Sequence, residues 1–482
     1  MLRVLHVIDR LSGAGPTRSM IALVKYLGRL GVAQQHRAVT LQGDAYPLAL
    51  LLAKQAGLTI LRAPDRATMR HEVEGADIVQ LHHWNNPAIG EWLRDDLPAM
   101  RLLLWFKILG CHAPQVITRD LLAAADGAVA TTPATLDLPA ARAALAADPR
   151  AVEVVAGIAD GDRLQGLCRR PHAGFTVGYI GTVNFTKMHP RFVAMNAAVR
   201  VPEARFIVCG AGDPAPLRAE AARLGAADRF ELRGYVEDVA AVLGELDVFG
   251  YPLCADTYAT SEKSLQEAML AGVPPVVFPH GGVPHLVRHG DTGLVVDDEL
   301  AYRDAIEHLH RDPAERARLG DNARAFAAQA FDGLRAARQF ADIYARVLER
   351  PKRCRARAPS DLGVSARELG PDDGARRFVE AIGDAAPQFR SSLTATEPAA
   401  WGVADRQIAD SSPLLASGEG GIFHYRNYYP QARHLRLWAG LVLLRQGRAA
   451  EATREFETAR ALGLGVERVA AHLAAARQPA EV

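Results

Sequence analysis

The chain has 482 residues, a formal net charge of +1, 49% hydrophobic residues and 23% charged residues. This composition is that of a globular protein of two or three domains, and the near-zero charge argues against nucleic acid as a partner. The five cysteines contain no CxxC pair, which disfavours both a disulfide framework and a structural zinc site.

No apolar run approaches the roughly 18 residues that span a membrane. The first residues, Met-Leu-Arg-Val-Leu-His-Val-Ile-Asp, are interrupted by charge too early for a signal peptide. We therefore expect a cytoplasmic protein, and the sequence leaves peripheral attachment to a membrane open.

Strand-like runs alternate with helical segments through residues 1–170. A glycine-containing loop, 12–17, separates the first strand from a helix at 19–30 whose apolar residues share one face. Alternation of this kind predicts a parallel sheet covered on both faces. The predicted strands are 4–8, 36–41, 76–81, 101–106 and 127–131.

A second alternating series occupies residues 171–332. Its predicted strands begin near 175, 205, 229, 248, 276 and 293. A restart after about 170 residues indicates a second doubly wound domain, because one sheet does not normally grow so large. Ligands of such domains bind outside the carboxyl ends of the strands, so the loops there should carry the chemistry.

The C-terminal third is helical at its start and at its end. Residues 313–348 are strongly helical, whereas 351–425 are predicted to be an irregular connecting segment with one short helix near 375–382. Residues 426–482 resemble a tetratricopeptide repeat, on the spacing of Gly440, Leu443, Gly447, Ala452, Phe456 and Ala459. A single repeat does not stand alone, so we expect this tail to pack on preceding helices or on the enzyme body.

Seven motifs occur in order between residues 176 and 297. They are Gly178-Tyr-Ile-Gly-Thr-Val, Lys187, Cys209-Gly-Ala-Gly, Leu232-Arg-Gly-Tyr-Val, Asp247-Val-Phe, Glu267-Ala-Met and Gly290-Asp-Thr-Gly-Leu-Val-Val. The series resembles the family 4 glycosyltransferases, which are retaining enzymes of the GT-B fold with two facing Rossmann-like domains. The resemblance covers residues 1 to about 350 and implies that 333–350 close the GT-B core.

The resemblance implies a hexosyltransferase that moves a sugar from a nucleoside-diphosphate sugar to an acceptor hydroxyl. It implies retention of anomeric configuration and no metal ion or other cofactor, with a UDP-sugar as the expected co-substrate. The acceptor is left open among a glycan, a peptide or protein, and a small molecule. The helical tail suggests a protein partner or a homo-oligomer.

The resemblance also assigns the nucleotide end of the donor site. Glu267 matches the glutamate that binds the ribose hydroxyls, and Tyr235 and Val236 match the loop that holds the base. Gly13 and Gly15 match the glycine-rich loop of the first domain, and small residues there allow a close approach to the donor. Gly212 follows a strand and could likewise let backbone approach the nucleotide, although a plain strand–helix turn explains it equally well.

At the phosphate end, Lys187 matches the lysine that faces the donor phosphates. An arginine is expected five positions earlier, where this chain has Thr182, which can donate a hydrogen bond but brings no charge. Arg191 and Lys263 are two cations that could compensate. Thr260 and Ser261, at a predicted helix start, can donate to phosphate.

At the sugar end, the expected glutamate at position 259 is replaced by Ala259. Asp256 and Glu262 are the neighbouring carboxylates that could take its role. Thr182 and Ala259 together favour an alternative, in which a degenerate transferase binds a nucleotide and recruits a partner through its helical tail. A GT-B sugar-nucleotide epimerase or phosphorylase is the other alternative.

Histidines are the candidate acceptor-side groups, because imidazole titrates near neutral pH. His82 and His83 end one predicted strand and should point to opposite faces, so one of them can face the cleft. His112 follows the next strand. A structural role explains each of these histidines equally well. Arg18, which opens the first helix, is a further candidate contact for phosphate or acceptor.

Overall fold

The computed structural model describes residues 1–158, 160–168, 172, 174–355 and 370–477. The strands are β1 Leu2–Ile8, β2 Gln34–Thr40, β3 Thr59–Arg62, β4 Ile78–His83, β5 Leu102–Phe106, β6 Cys111–His112, β7 Gln115–Val116, β8 Gly127–Ala130, β9 Val152–Val154, β10 Phe175–Ile180, β11 Ala204–Cys209, β12 Phe230–Gly234, β13 Val248–Tyr251, β14 Pro275–Val277 and β15 Leu294–Val295.

The helices are α1 Gly15–Arg29, α2 Pro47–Gln55, α3 Arg66–Gly75, α4 Pro87–Arg94, α5 Arg119–Ala124, α6 Pro139–Ala147, α7 Phe192–Ala197, α8 Ala215–Arg223, α9 Val239–Leu243, α10 Lys263–Leu270, α11 Glu299–Arg311, α12 Pro313–Ala330, α13 Gly333–Leu348, α14 Asp373–Ile382, α15 Pro387–Thr394, α16 Pro398–Ala409, α17 Pro413–Ala416, α18 Ile422–Tyr428, α19 Arg433–Arg445, α20 Ala449–Ala461 and α21 Val466–Arg477. None of the helices in this described part of the chain combines the length and apolar character of a membrane span.

Two parallel sheets confirm the predicted fold class. The first has seven strands in the order β3-β2-β1-β4-β5-β8-β9, and the second has six in the order β12-β11-β10-β13-β14-β15. The strand order reverses beside β1 in the first sheet and beside β10 in the second. A crevice at the carboxyl ends forms at such a reversal, so the loops after these strands are placed for ligand binding.

Both faces of each sheet are buried, as parallel sheets require. In the first domain, Val7 and Val79 pack into one core, whereas Val4 and Leu103 pack into another on the opposite face. Strands β3 and β9 and the antiparallel hairpin β6–β7 were not predicted. They are two to four residues long and incompletely buried, so they carry little periodic signal.

The helical stretch 313–348 is two helices separated at Phe331 and Asp332. The Asp332 carboxylate caps α13 by accepting from the Leu334 amide at 2.9 Å. Helix α13 returns to the first domain, where Phe340 packs on Trp105 and the Tyr344 hydroxyl donates to Gln80 Oε1 at 2.6 Å. The chain thus crosses back from the second domain to the first, and the assignment of 333–350 as the helices that close a GT-B core stays a prediction.

The prediction of an irregular segment at 351–425 agrees with the structure at 351–355 and was wrong for most of 370–425, although the short helix predicted near 375–382 is present as α14. Helices α14 to α17 and the start of α18 lie there, while 356–369 fall outside the described residues. Three of these helices begin at a proline, at 387, 398 and 413. Proline suits the first helical turn, but scattered prolines in short helices give the appearance of a loop sequence.

The C-terminal helices form one hydrophobic core that includes α19 and α20. These two helices form a hairpin, and a Cβ at Gly440 would lie 2.5 Å from the Phe456 ring, so the close approach requires glycine there. The helical hairpin is present as predicted, and its assignment as a tetratricopeptide repeat stays a prediction.

The helical region contacts the first domain directly. The Tyr429 hydroxyl donates to Glu91 on α4 at 2.5 Å, and the same carboxylate pairs with Arg377 at 3.1 Å. Arg94 on α4 pairs with Glu380 at 2.7 Å. Of these contacts, the one from Tyr429 belongs to residues 426–482, and the shared core joins those residues to the preceding helices, so the tail packs on both as expected.

Candidate active site

The carboxyl-end loops of the two sheets meet across a cleft. The loop after β1 approaches the loop after β12, because a Cβ at Gly13 would lie 3.0 Å from the Tyr235 hydroxyl. The amide of Leu109, beyond β5, donates to the carbonyl of Tyr258, beyond β13, at 3.0 Å. The candidate residues of both domains therefore line a shared site.

Glu267 lies on α10 with its side chain 1% exposed. Its Oε1 forms ion pairs with Arg18 of the first domain and with Arg163, whose Nη1 is 2.7 Å away. Its Oε2 is buried and has no hydrogen-bond partner among the described residues. A buried carboxylate oxygen without a donor is costly, so this atom is suited to accept from a ligand hydroxyl.

The loop after β12 is partly exposed. Tyr235 is 47% exposed and meets Tyr46 of the first domain edge to face, with ring centroids 5.9 Å apart. The Tyr46 hydroxyl donates to Glu237 at 2.8 Å, which raises the pKa of Tyr46 to about 12. Val236 packs against the core of the second domain. The loop thus offers a polar aromatic surface, whereas Gly15 starts α1 with open space around it.

Lys187 is held by a carboxylate. Its Nζ lies 2.5 Å from Glu262 Oε2, and the Tyr251 hydroxyl donates to the same oxygen at 2.5 Å. Burial alone would lower the pKa of Lys187, but the Glu262 charge outweighs it and holds that pKa above its ordinary value. Lys187 is therefore a permanent cation at neutral pH.

Two further lysines lie close enough to repel each other. Lys263 donates to the Ile158 carbonyl at 2.9 Å, and burial followed by repulsion from Arg18 lowers its pKa to about 7. Lys107, just after β5, has a buried Nζ that lies 2.9 Å from the Trp105 ring centroid and has no hydrogen-bond partner among the described residues. Burial and the Lys263 charge lower the pKa of Lys107 well below its usual value.

The resemblance expects an arginine where this chain has Thr182, and Lys263 and Arg191 were the two candidate replacements. The structure places Lys263 in the cleft and Arg191 outside it. Arg191 is 65% exposed and pairs with Glu299 at 2.7 Å. The cation cluster of the cleft, defined here as Arg18, Lys107, Lys187 and Lys263, therefore forms without Arg191. An anion beside Lys263 would relieve its repulsion with Arg18 and Lys107.

Thr182 and Gly212 have backbone roles in the structure. The Thr182 carbonyl accepts from the Tyr179 hydroxyl at 2.9 Å. Gly212 has φ +139° and pairs with Val183, and a Cβ there would lie 2.2 Å from the Val183 carbonyl oxygen. The close approach of these two loops explains the glycine at 212.

The segment before α10 lies along the cleft. Ala259 is 2% exposed and belongs to the core of the second domain, and Thr260 beside it is buried. Ser261 contacts Gly157 of the inter-domain connection, where a Cβ would lie 2.3 Å from the Ser261 hydroxyl oxygen. Asp256 is partly exposed; together with burial, its charge raises the pKa of Cys254 to about 12. Glu262 is the carboxylate of this segment that reaches Lys187.

The candidate histidines occupy different environments. His83 packs edge to face on Phe106, and burial lowers its pKa to about 3, so it is neutral at pH 7. His82 lies on the opposite face, hydrogen-bonded to His6 at 3.1 Å. His112, on hairpin β6–β7, is close enough to His280 of the second domain to help lower its pKa, after the larger effect of burial. His112 is thus the one of the three that faces the second domain.

Sequence reasoning did not single out Arg163, Lys107 or Tyr258. Lys107 stands directly after a predicted strand at its carboxyl end, and that position was a usable signal. Arg163 and Tyr258 have no such signal, because connecting loops bring them to the cleft. A further contact comes from far along the chain: Glu419 accepts from the Tyr258 hydroxyl at 2.8 Å.

The second domain matches a known family model. Residues 174–312 match the model described as Glycosyl transferases group 1. N-acetyl-alpha-D-glucosaminyl L-malate synthase of Bacillus anthracis is 30% identical over 127 residues, which are 26% of this chain and 32% of that protein. D-inositol 3-phosphate glycosyltransferase of Corynebacterium aurimucosum is 32% identical over 111 residues, 23% of this chain and 25% of that protein. The matched stretches span about a third or less of these curated relatives.

The two-domain body is shared with solved structures. Anabaena Alr3699/HepE in complex with UDP-glucose superposes with a TM-score of 0.57 at 18% identity, covering 72% of this chain and 100% of that one. At this identity the likeness concerns the fold. Residues 174–312 therefore match the glycosyl transferases group 1 model, and they lie within a body of the GT-B fold.

Proposed function

We propose that the chain is a retaining glycosyltransferase that moves a sugar from a UDP-sugar to an acceptor hydroxyl without a metal ion. The observation that carries the proposal is Glu267, a buried carboxylate with an unpartnered oxygen, next to the cation cluster. The group 1 domain match at 174–312 supports it, and so does the complex of Alr3699/HepE, a protein of the same fold, with UDP-glucose.

In this proposal Glu267 Oε2 accepts a hydrogen bond from a ribose hydroxyl. Arg18 and Arg163 hold the other oxygen, which fixes the position of the carboxylate. Tyr235 contacts the base at the edge of the cleft, where its exposed ring can stack. These contacts position the donor and leave its diphosphate among the cations.

The cation cluster binds the diphosphate and stabilises the charge that grows as the sugar leaves. The bond between the anomeric carbon and the diphosphate oxygen breaks, and its electron pair stays on the diphosphate. The acceptor oxygen bonds to the anomeric carbon on the same face, and its proton passes to the departing diphosphate oxygen. Lys187, a permanent cation held by Glu262, is preorganised for the leaving group, which is how electrostatic catalysis lowers a barrier.

The test is a donor panel. The purified chain is incubated with UDP-, GDP- and TDP-sugars, and release of nucleoside diphosphate is followed with and without sugar or lipid-linked acceptors. The proposal predicts slow hydrolysis of at least one UDP-sugar and faster release with an acceptor. Tight binding of UDP without turnover across the panel would instead identify a nucleotide-binding scaffold, and interconversion of the donor sugar would identify an epimerase.

A further inference from the structure

A loop of the helical region enters the cleft of the two-domain body. This loop, residues 417–421, connects α17 to α18 and is called here the tail loop. Gln115 Nε2 donates to the Glu419 carbonyl at 2.8 Å. Gly420 has φ +86°, and a Cβ there would lie 2.2 Å from the Asn85 carbonyl oxygen. The first domain therefore holds the loop backbone in one position, and this close approach requires glycine at 420.

The Glu419 side chain points away from the first domain and reaches the second domain. Its Oε2 accepts from the Tyr258 hydroxyl at 2.8 Å and lies 3.4 Å from the Thr186 hydroxyl. Thr186 is the residue before Lys187. Burial, and then the Glu419 charge, raise the pKa of Tyr258 well above its usual value, while Lys187 acts in the opposite direction. Glu419 is thus an electrostatic neighbour of the phosphate and sugar end of the site.

Among the described residues, the Glu419 carboxylate contacts hydroxyl groups and no basic side chain. No lysine or arginine of the described ranges forms an ion pair with it, and the two contacts named above come from neutral hydroxyls. Hydroxyl donors are also what a sugar presents, and a carboxylate accepts from two of them. The nearby position 259 holds a buried alanine where the resemblance places a sugar-binding glutamate.

We propose that Glu419, supplied by the helical region, binds hydroxyl groups of the transferred sugar and so helps to choose the donor. The inference rests on the proposed transferase function and deepens it. It makes the helical region part of the active site, with Tyr258 orienting the carboxylate. The contacts of the loop backbone with Gln115 and Asn85 set the distance between the Glu419 carboxylate and the donor.

The experiment compares Glu419→Gln with the unaltered full chain. The donor is the UDP-sugar that the full chain hydrolyses fastest in the panel. Because a hydrogen bond to a charged group is replaced by a neutral one, kcat/KM for that donor should fall by about 10- to 100-fold. The Kd of UDP, which lacks the sugar, should change less than about threefold by calorimetry. The ratio of kcat/KM values between glucose, galactose and N-acetylglucosamine donors should also shift.

Three further variants separate this role from a structural one. Glu457→Gln alters an exposed carboxylate of α20 and should leave every constant unchanged. Tyr258→Phe should produce a smaller loss of the same kind, and Glu419→Asp should recover part of the activity. Unchanged donor ratios and kcat/KM in Glu419→Gln, or a rise in turnover as expected of an inhibitory loop, overturn the inference. Absence of UDP binding and turnover in the unaltered chain overturns the proposed function itself.

Discussion

Arg18 on α1 of the first domain forms an ion pair with Glu267 on α10 of the second, and Arg163 shares the same carboxylate oxygen. The pairing joins the two domains across the cleft. It leaves the second oxygen of Glu267 buried and without a donor among the described residues. The carboxylate is thus a contact between the domains, and in the proposed function its second oxygen accepts from a ribose hydroxyl.

Glu267→Gln should weaken binding of UDP by about 10- to 100-fold, because the hydrogen bond from ribose loses its charged acceptor. Calorimetry with UDP and with free uracil measures this, and only UDP should lose affinity. Asp410→Asn, which alters an exposed pair with Arg445, is the matched control. Equal UDP affinity in both variants would contradict the ribose role of Glu267.

Lys187→Met should lower kcat by about 10²- to 10³-fold, since a preorganised cation facing the leaving group is lost. The Kd of the donor should change less, as the remaining cations still hold the diphosphate. Arg191→Met removes a cation that pairs with Glu299 outside the cleft, and it should behave like the unaltered chain. Single-turnover measurements separate the loss of kcat from any change in the Kd of the donor. Comparable losses in both variants would mean that Lys187 has no special position.

Lys263 should make donor binding dependent on pH. Its pKa of about 7 in the free protein should rise when a diphosphate binds, so binding takes up a proton. Affinity for UDP-glucose, whose diphosphate does not titrate near neutrality, should be full below pH 7 and fall as pH rises, by at most about tenfold per unit. Calorimetry from about pH 6 to about pH 8.5 tests this. If the affinity for UDP-glucose still depends on pH in Lys263→Met, the proton is taken up by another group.

Asp405 should be a main determinant of stability in the helical region. It is 1% exposed, and Arg468 Nε donates to it at 2.9 Å and His472 at 2.8 Å. Burial alone would raise the pKa of Asp405, but these donors hold that pKa below its usual range. The carboxylate therefore stabilises the folded protein at pH values above the pKa that Asp405 has in the unfolded chain. This stabilisation is lost as the pH falls through the pKa of Asp405 in the folded protein.

Asp405→Ala should cost about 3–5 kcal/mol, because it strands a buried guanidinium. Chemical denaturation followed by circular dichroism measures the change in free energy of unfolding. The exposed Asp410→Ala should stay within about 1 kcal/mol of the unaltered chain. Equal costs for the two would show that the Arg468 cluster does not hold these helices together.

The sequence predicted the two sheets because strands such as β10 and β13 are continuous apolar runs between helices. It also identified Lys187 and Glu267, which stand in recognisable motifs, and the structure places both in the cleft. The short strands were missed because two to four residues give little periodicity, and α15, α16 and α17 were missed because each begins at a proline in a sequence that looks like a loop.

The remaining site residues could not be found from local sequence patterns, because their partners lie far away along the chain. Glu419 lies 161 residues beyond Tyr258, and Arg163 lies 104 before Glu267. Only tertiary packing brings these groups together. Lys263 was named as one of two candidates, and burial in the cleft, which no local pattern reports, distinguishes it from the exposed Arg191.

The central claim is sugar transfer at the site between Glu267 and Lys187. Its most direct test is release of UDP from a panel of UDP-sugars by the full chain, by Lys187→Met and by Glu267→Gln, with and without acceptors. The account predicts turnover by the full chain, a loss of kcat in Lys187→Met and a loss of donor affinity in Glu267→Gln. Turnover that is indifferent to both substitutions, or no turnover with any donor, would contradict it.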